Sequence, residues 1–236
     1  LLRGYRPEPR KGNGQLEVRL AWRRGLAGLT VLAAALPFMA PEVLAFPYHE
    51  RIGSDQVWSM TPIPRGRAAA ILADANARTA ASPLAHGDEP RRIFLTDGGW
   101  RWRVLALQAH YAFALTRALR EDVIVNRTDF TADRVNNGLG DGRTRTLAGI
   151  IAHEKCHGME RRHFGLLVDL TKPVWLREGY CDFVARESTL SDSEVATMRK
   201  TDPHHPALPY YEGRMKVTAI LAANGGNVDK LFAGAR

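Results

Sequence analysis

The alternation of apolar and polar positions divides the chain into short extended pieces followed by longer helical ones. The stretch "FPYHERIGSDQVWSMTPIPRG", residues 46–66, reads as extended segments broken by Pro and Gly. Residues 67–82, "RAAAILADANARTAAS", combine helix-forming composition with an apolar stripe and predict a helix. "RRIFLTD" predicts a strand ended by Gly98 and Gly99. Between 101 and 119, Val104, Leu107, Tyr111, Leu115 and Leu119 recur at helical intervals and predict a second helix. "DVIVN" and "DFTADRV" read as two strands of a small sheet, and "NNGLGDGR" as a loop.

The second half is helical. Thr144 or Thr146 can cap a helix running to about Phe164, and Pro173 opens another reaching Glu187. Ser191 and Glu194 are spaced as a capping box before "EVATMRK". "DPHHPALP" is a loop, and "YYEGRMKVTAILAANGG" a helix stopped by Gly. The fold class expected is α+β, with a small mixed sheet packed on a central helix and a mostly helical C-terminal half.

The 236 residues, 45% of them apolar, suffice for one domain with a core. The net charge of +8 is unevenly spread: residues 1–24 contribute +5 and the other 212 only +3. No basic run with interleaved aromatics occurs, so nucleic acid is not an expected partner. The basic flank, residues 1–24, precedes the apolar run 25–46, "GLAGLTVLAAALPFMAPEVLAF". That order is expected of a secretory signal, cleaved before Phe46, or of a membrane anchor, and it places residues 47–236 outside the cytoplasm. A buried core helix is the competing interpretation of the run. Pro37, Pro41 and Glu42 weaken its second half as a membrane span.

Within "IIAHEKCHG", residues 150–158, His153, Glu154 and His157 form H-E-x-x-H. Histidines four apart share a helix face and can offer two imidazole nitrogens to one ion, with Glu154 placed to act on water as general base. Catalytic zinc takes three protein ligands, so a third must come from elsewhere. Twenty-one positions past His157, "VWLREGYCDFVA" carries Glu178.

Trp175, Leu176, Glu178, Gly179 and Tyr180 resemble the W-L-x-E-G-aromatic helix that supplies the third ligand in gluzincin metallopeptidases. The resemblance covers residues 147–213 and implies a zinc site of His153, His157 and Glu178, with Glu154 as base in peptide hydrolysis. It also implies that Asp182, four after Glu178, orients His153. "PYYEG", 209–213, is similar to the opening of a helix that carries an oxyanion-stabilising tyrosine, which points to Tyr210, with Tyr211 as its competitor and His204 or His205 as substitutes. Arg177 departs from the Asn usual in one branch of the family. Lys155 departs from an uncharged position, implying that this side of the helix meets solvent or substrate. The family pairs substrate with the edge of a small sheet, a role open to the pieces around "DVIVN" and "DFTADRV".

Cys156 and Cys181 are the only cysteines and adjoin the ligands on the two ligand helices, so they are candidates for a clamping disulfide. The expected function is zinc-dependent hydrolysis of an extracytoplasmic peptide or protein. The alternative is a non-hydrolytic, membrane-tethered metal-binding or assembly protein, against which the intact Glu154 argues.

Overall fold

The computed structural model describes residues 13–140, 142–205 and 207–235. The chain divides into two units, residues 1–43 and 44–236. Among the described residues the first holds one α-helix, α1 (Asn13–Met39), with Pro37 inside its last turn. The first twelve residues of the basic flank lie outside the described residues. Leu26, Leu29, Leu32 and Leu36 of α1 are exposed. Among the described residues, no helix is long and apolar enough to cross a membrane. The run predicted over 25–46 is broken after Met39 and continues as a 3-10 turn, Pro41–Leu44.

The second unit is α+β. Its elements run β1 (Tyr48–Ile52), β2 (Asp55–Ser59), α2 (Arg65–Ala80), β3 (Arg92–Leu95), α3 (Trp100–Ala106), β4 (Ala114–Thr116) and β5 (Val123–Val125). A second group of strands follows: β6 (Arg127–Asp129), β7 (Arg134–Asn136) and β8 (Thr144–Arg145). The remainder is helical: α4 (Leu147–Phe164), α5 (Val168–Thr171), α6 (Val174–Ala185), α7 (Asp192–Thr201), α8 (Leu208–Ala223) and α9 (Val228–Gly234).

Five strands form a mixed sheet in the order β1-β2-β3-β5-β4, and β6-β7-β8 form a separate antiparallel sheet. The β1–β2 hairpin turns at Gly53, where φ is +60°. In the interior, β3 and β5 pair in parallel, Ile93 with Val123 and Leu95 with Val125. All three residues of β5 are buried, as expected of a strand covered on both faces. One face packs Ile93, Leu95 and Val125 against Ile71 of α2 and Ile151 of α4. The other buries Phe94 and Ile124 with Trp102 and Leu105 of α3.

The helix predicted over 101–119 is a correction. Only Trp100–Ala106 is helical, and the chain breaks at Leu107, where φ is +52°. Leu107, Tyr111 and Leu119 are exposed, so the helical spacing of these apolar positions serves no packing face. Ala114–Thr116 instead joins β5 antiparallel, Leu115 opposite Ile124, because pairing with an already buried strand outweighs local spacing. One edge of the sheet is therefore β4, the other being β1. "DVIVN" forms the interior strand β5, and the "DFTADRV" region belongs to the second sheet.

Helix α4 is buried over nearly all its length, from Leu147 to Arg161. Thr146 caps it by accepting from the Gly149 amide at 3.0 Å. Helix α6 packs against α4, and α8 and α9 complete a second core around Met159, Tyr180, Val217 and Phe232. The capping box of α7 has both bonds in place at Ser191 and Glu194.

Candidate metal centre

His153, Glu154, His157 and Arg161, buried polar side chains of α4, line one cleft. The helical period puts His153 and His157 one turn apart, with Nε2 atoms 3.2 Å from each other. From α6, Glu178 brings Oε2 to 3.3 Å from His153 Nε2 and 3.6 Å from His157 Nε2. An ion bonded to each atom at about 2.0–2.1 Å in a tetrahedral set holds such atoms about 3.3 Å apart. The three predicted ligands thus stand as a triangle of the size zinc needs.

Each imidazole is fixed from behind. Asp182 Oδ1 lies 2.8 Å from His153 Nδ1, the placement the sequence resemblance implied. Donation from Nδ1 leaves Nε2 bare toward the shared point. Arg145 holds the same Asp182 oxygen at 2.9 Å, and Ser188 donates to Oδ2 at 3.4 Å. Glu160 does for His157 what Asp182 does for His153: its Oε2 lies 3.3 Å from Nδ1, and the side chain is fully buried. Sequence reasoning passed over Glu160, although its place three residues after His157 puts it on the same face. Arg145, from β8, had no sequence signal.

The carboxylates around the two imidazoles favour the charged form of both rings. Burial opposes charge on the imidazoles, but Asp182 and Glu178 outweigh it and push His153 up to about 9. Burial likewise opposes charge on His157, which Glu178 and Glu160 hold well above the ordinary imidazole range. Glu178, partly buried, is held well below the usual carboxylate range by the two histidines, which outweigh its desolvation. Burial raises Glu160, and Asp182 stays low because Arg145 and His153 overcome its burial.

Glu154 is buried beside the ligands and lines the same cleft. Thr116, at the end of edge strand β4, donates to its Oε2 at 2.7 Å and also lies 2.8 Å from its carbonyl oxygen. That contact ties the candidate base to the strand edge. The cleft has a volume of 630 Å³, and Phe113 and Leu115 of the β4 region give it an apolar wall.

The two tyrosines separate clearly. Tyr210, in the first turn of α8, lines the cleft, and burial and then the nearby charges of Glu178 and Asp182 raise its pKa. Tyr211 points elsewhere and donates to Asp192 at 2.7 Å. His205 lines the cleft rim, 3.0 Å from Arg143, whereas His204 is exposed away from it.

Two glycines bring Tyr210 and Glu178 together. A Cβ on Gly179 would stand 2.4 Å from the Gly213 backbone, and one on Gly213 would stand 2.4 Å from the Trp175 carbonyl. Helices α6 and α8 cross there at backbone contact, which only glycine allows. Cys156 and Cys181 form a disulfide joining α4 to α6, the clamp the sequence suggested. Lys155, by contrast, meets neither solvent nor substrate: it is fully buried on the side of α4 away from the cleft, against Asp55 and Asn76.

Family models, curated proteins and solved structures include no match to this chain.

Proposed function

We propose that the protein is a zinc-dependent, zincin-like peptidase that hydrolyses peptide bonds in the cleft between α4 and strand β4. The observation that carries this reading is the triangle of His153, His157 and Glu178 ligand atoms, 3.2 to 3.6 Å on a side, with the Glu154 carboxylate beside it. A purely structural site has no use for that carboxylate.

Zinc held by these residues supplies Lewis acidity, polarising a carbonyl oxygen and acidifying water. The chain's own residues supply the rest. The exposed edge of β4 offers backbone groups to an extended peptide. Glu154, with Oε2 engaged by Thr116, takes the proton of the attacking water on Oε1 and passes it to the leaving amine. The Tyr210 hydroxyl donates to the carbonyl oxygen as negative charge develops there. Asp182 and Glu160 keep the histidines in the tautomer that faces the ion.

An extracytoplasmic location belongs to this reading, with residues 25–46 as signal or tether. Its supports are the basic flank, the exposed apolar side chains of α1 and the disulfide.

Elemental analysis and a peptide-library digest test the proposal together. One equivalent of zinc is expected, with Glu154→Gln keeping the metal and losing cleavage. Absence of stoichiometric zinc, or full activity in that variant, rejects it.

A further inference from the structure

We propose that the cleft wall one helical turn beyond His157 binds a carboxylate of the substrate through Arg161 and Arg177, so that the enzyme acts on peptides bearing a negative charge close to the scissile bond. This narrows the substrate class and rests on the peptidase reading above.

Arg161 follows His157 by four residues and lies on the same face of α4, about 5 to 6 Å further along. Its Nε donates to Asp169 Oδ2 at 2.7 Å, and its side chain is only 9% exposed. Among the described residues no acceptor reaches its Nη1, although that atom is buried. Arg177 enters from α6, directly before ligand Glu178, and its Nε donates to the Lys172 carbonyl. Its Nη1 stands 3.6 Å from Asp169 Oδ1 and 3.9 Å from Glu178 Oε1, both too long for hydrogen bonds. Both arginines line the cleft.

The charge balance at this wall is unequal. Asp169 is a single carboxylate placed between two guanidinium groups, and Glu178 belongs to the metal ligands. Arg145, also in the cleft, is matched by Asp182. One positive charge is thus left at the Arg161–Arg177 wall, with donor capacity in the planar geometry that suits a carboxylate. A buried guanidinium nitrogen without an acceptor calls for one, and the cleft supplies the route. An extended peptide advances about 3.3 Å per residue, so a carboxylate held one turn from His157 sits within about two residues of the bond being cut. The ligand chemistry is a carboxylate, whether an acidic side chain or a free C-terminus supplies it.

The test reads binding without turnover, using the full chain loaded with zinc and carrying Glu154→Gln. The probes are fluorescein-labelled apolar hexapeptides that differ in Glu against Gln at each position, made with free and with amidated C-termini. Fluorescence anisotropy gives Kd. At least one acidic form is expected to bind tenfold or more tightly than its amide counterpart. Dependence on the Glu position marks the side chain as the source, and dependence on amidation marks the C-terminus. Arg177→Gln and Arg161→Gln should each abolish most of this ratio, while Asp169→Asn, which removes the one neutralising acid, should raise it. Thermal unfolding checks that each variant is folded, and Arg177→Gln with Asp169→Asn decide the matter if Arg161→Gln is not. Equal binding of acidic and neutral peptides, or an unchanged ratio in the folded arginine variants, overturns the proposal. Because the comparison needs no cleavage, failure of hydrolysis in the unmodified protein is registered separately.

Discussion

Lys155 Nζ lies 2.8 Å from Asp55 Oδ1 and 2.9 Å from Oδ2, both side chains being wholly buried. Asn76 Oδ1 accepts a further bond at 2.6 Å, and the Arg91 amide donates to Asp55 Oδ1. Lys155, inside H-E-K-C-H, therefore fastens α4 to β2 and α2. Removing one partner of a buried pair strands the other charge, which costs about 3–5 kcal/mol. Asp55→Asn is accordingly expected to lower the unfolding free energy by about that amount in a denaturant titration.

The orienting carboxylate of His153 should tune the metal. Asp182→Asn removes the charge that Nδ1 faces at 2.8 Å and loosens the imidazole. Zinc affinity is expected to fall about 10- to 100-fold, measured by competition with a chromophoric chelator.

The tyrosines provide an internal control. Tyr210→Phe removes a hydroxyl from the cleft lining, and kcat should drop about 10²- to 10³-fold. Tyr211→Phe, which loses only a bond to exposed Asp192, should leave kcat within about twofold. Equal effects of the two changes would contradict the assignment.

The crossing of α6 and α8 admits no side chain at Gly213. Gly213→Ala forces the backbones apart at the level of Trp175 and should cost about 1–3 kcal/mol of stability. The same displacement withdraws Tyr210 from the ligands, so kcat should fall even in the variant molecules that remain folded.

The Cys156–Cys181 bridge has a sequence separation of 25 and joins α4 to α6. Loop-closure entropy for that span gives about 3.5 kcal/mol of stabilisation. A Cys156→Ser/Cys181→Ser double variant should therefore melt at a lower temperature, and zinc addition should recover part of the loss by binding only the folded state.

What was legible in the sequence is what local geometry controls. The spacing of His153 and His157 fixes their shared face because α-helical periodicity is independent of context. Thr146 and the Ser191–Glu194 box mark helix starts through bonds spanning three residues. The resemblance around Glu178 pointed to a third ligand, but its approach to the histidines depends on packing: a disulfide on one side and a glycine contact on the other. The edge strand was not legible. Ala114–Thr116 becomes a strand only because β5 is buried beside it, and sheet pairing is decided between segments rather than within one. Glu160 stood in view, three residues from His157, and needed only the knowledge of which helix face was enclosed. The roles of Lys155 and Arg145 came from tertiary structure alone. Lys155 meets Asp55 across 100 residues of chain, and Arg145 meets Asp182 from a separate sheet. Local periodicity thus placed the ligands along the helix, and burial of charge against distant partners decided which way the helix faces.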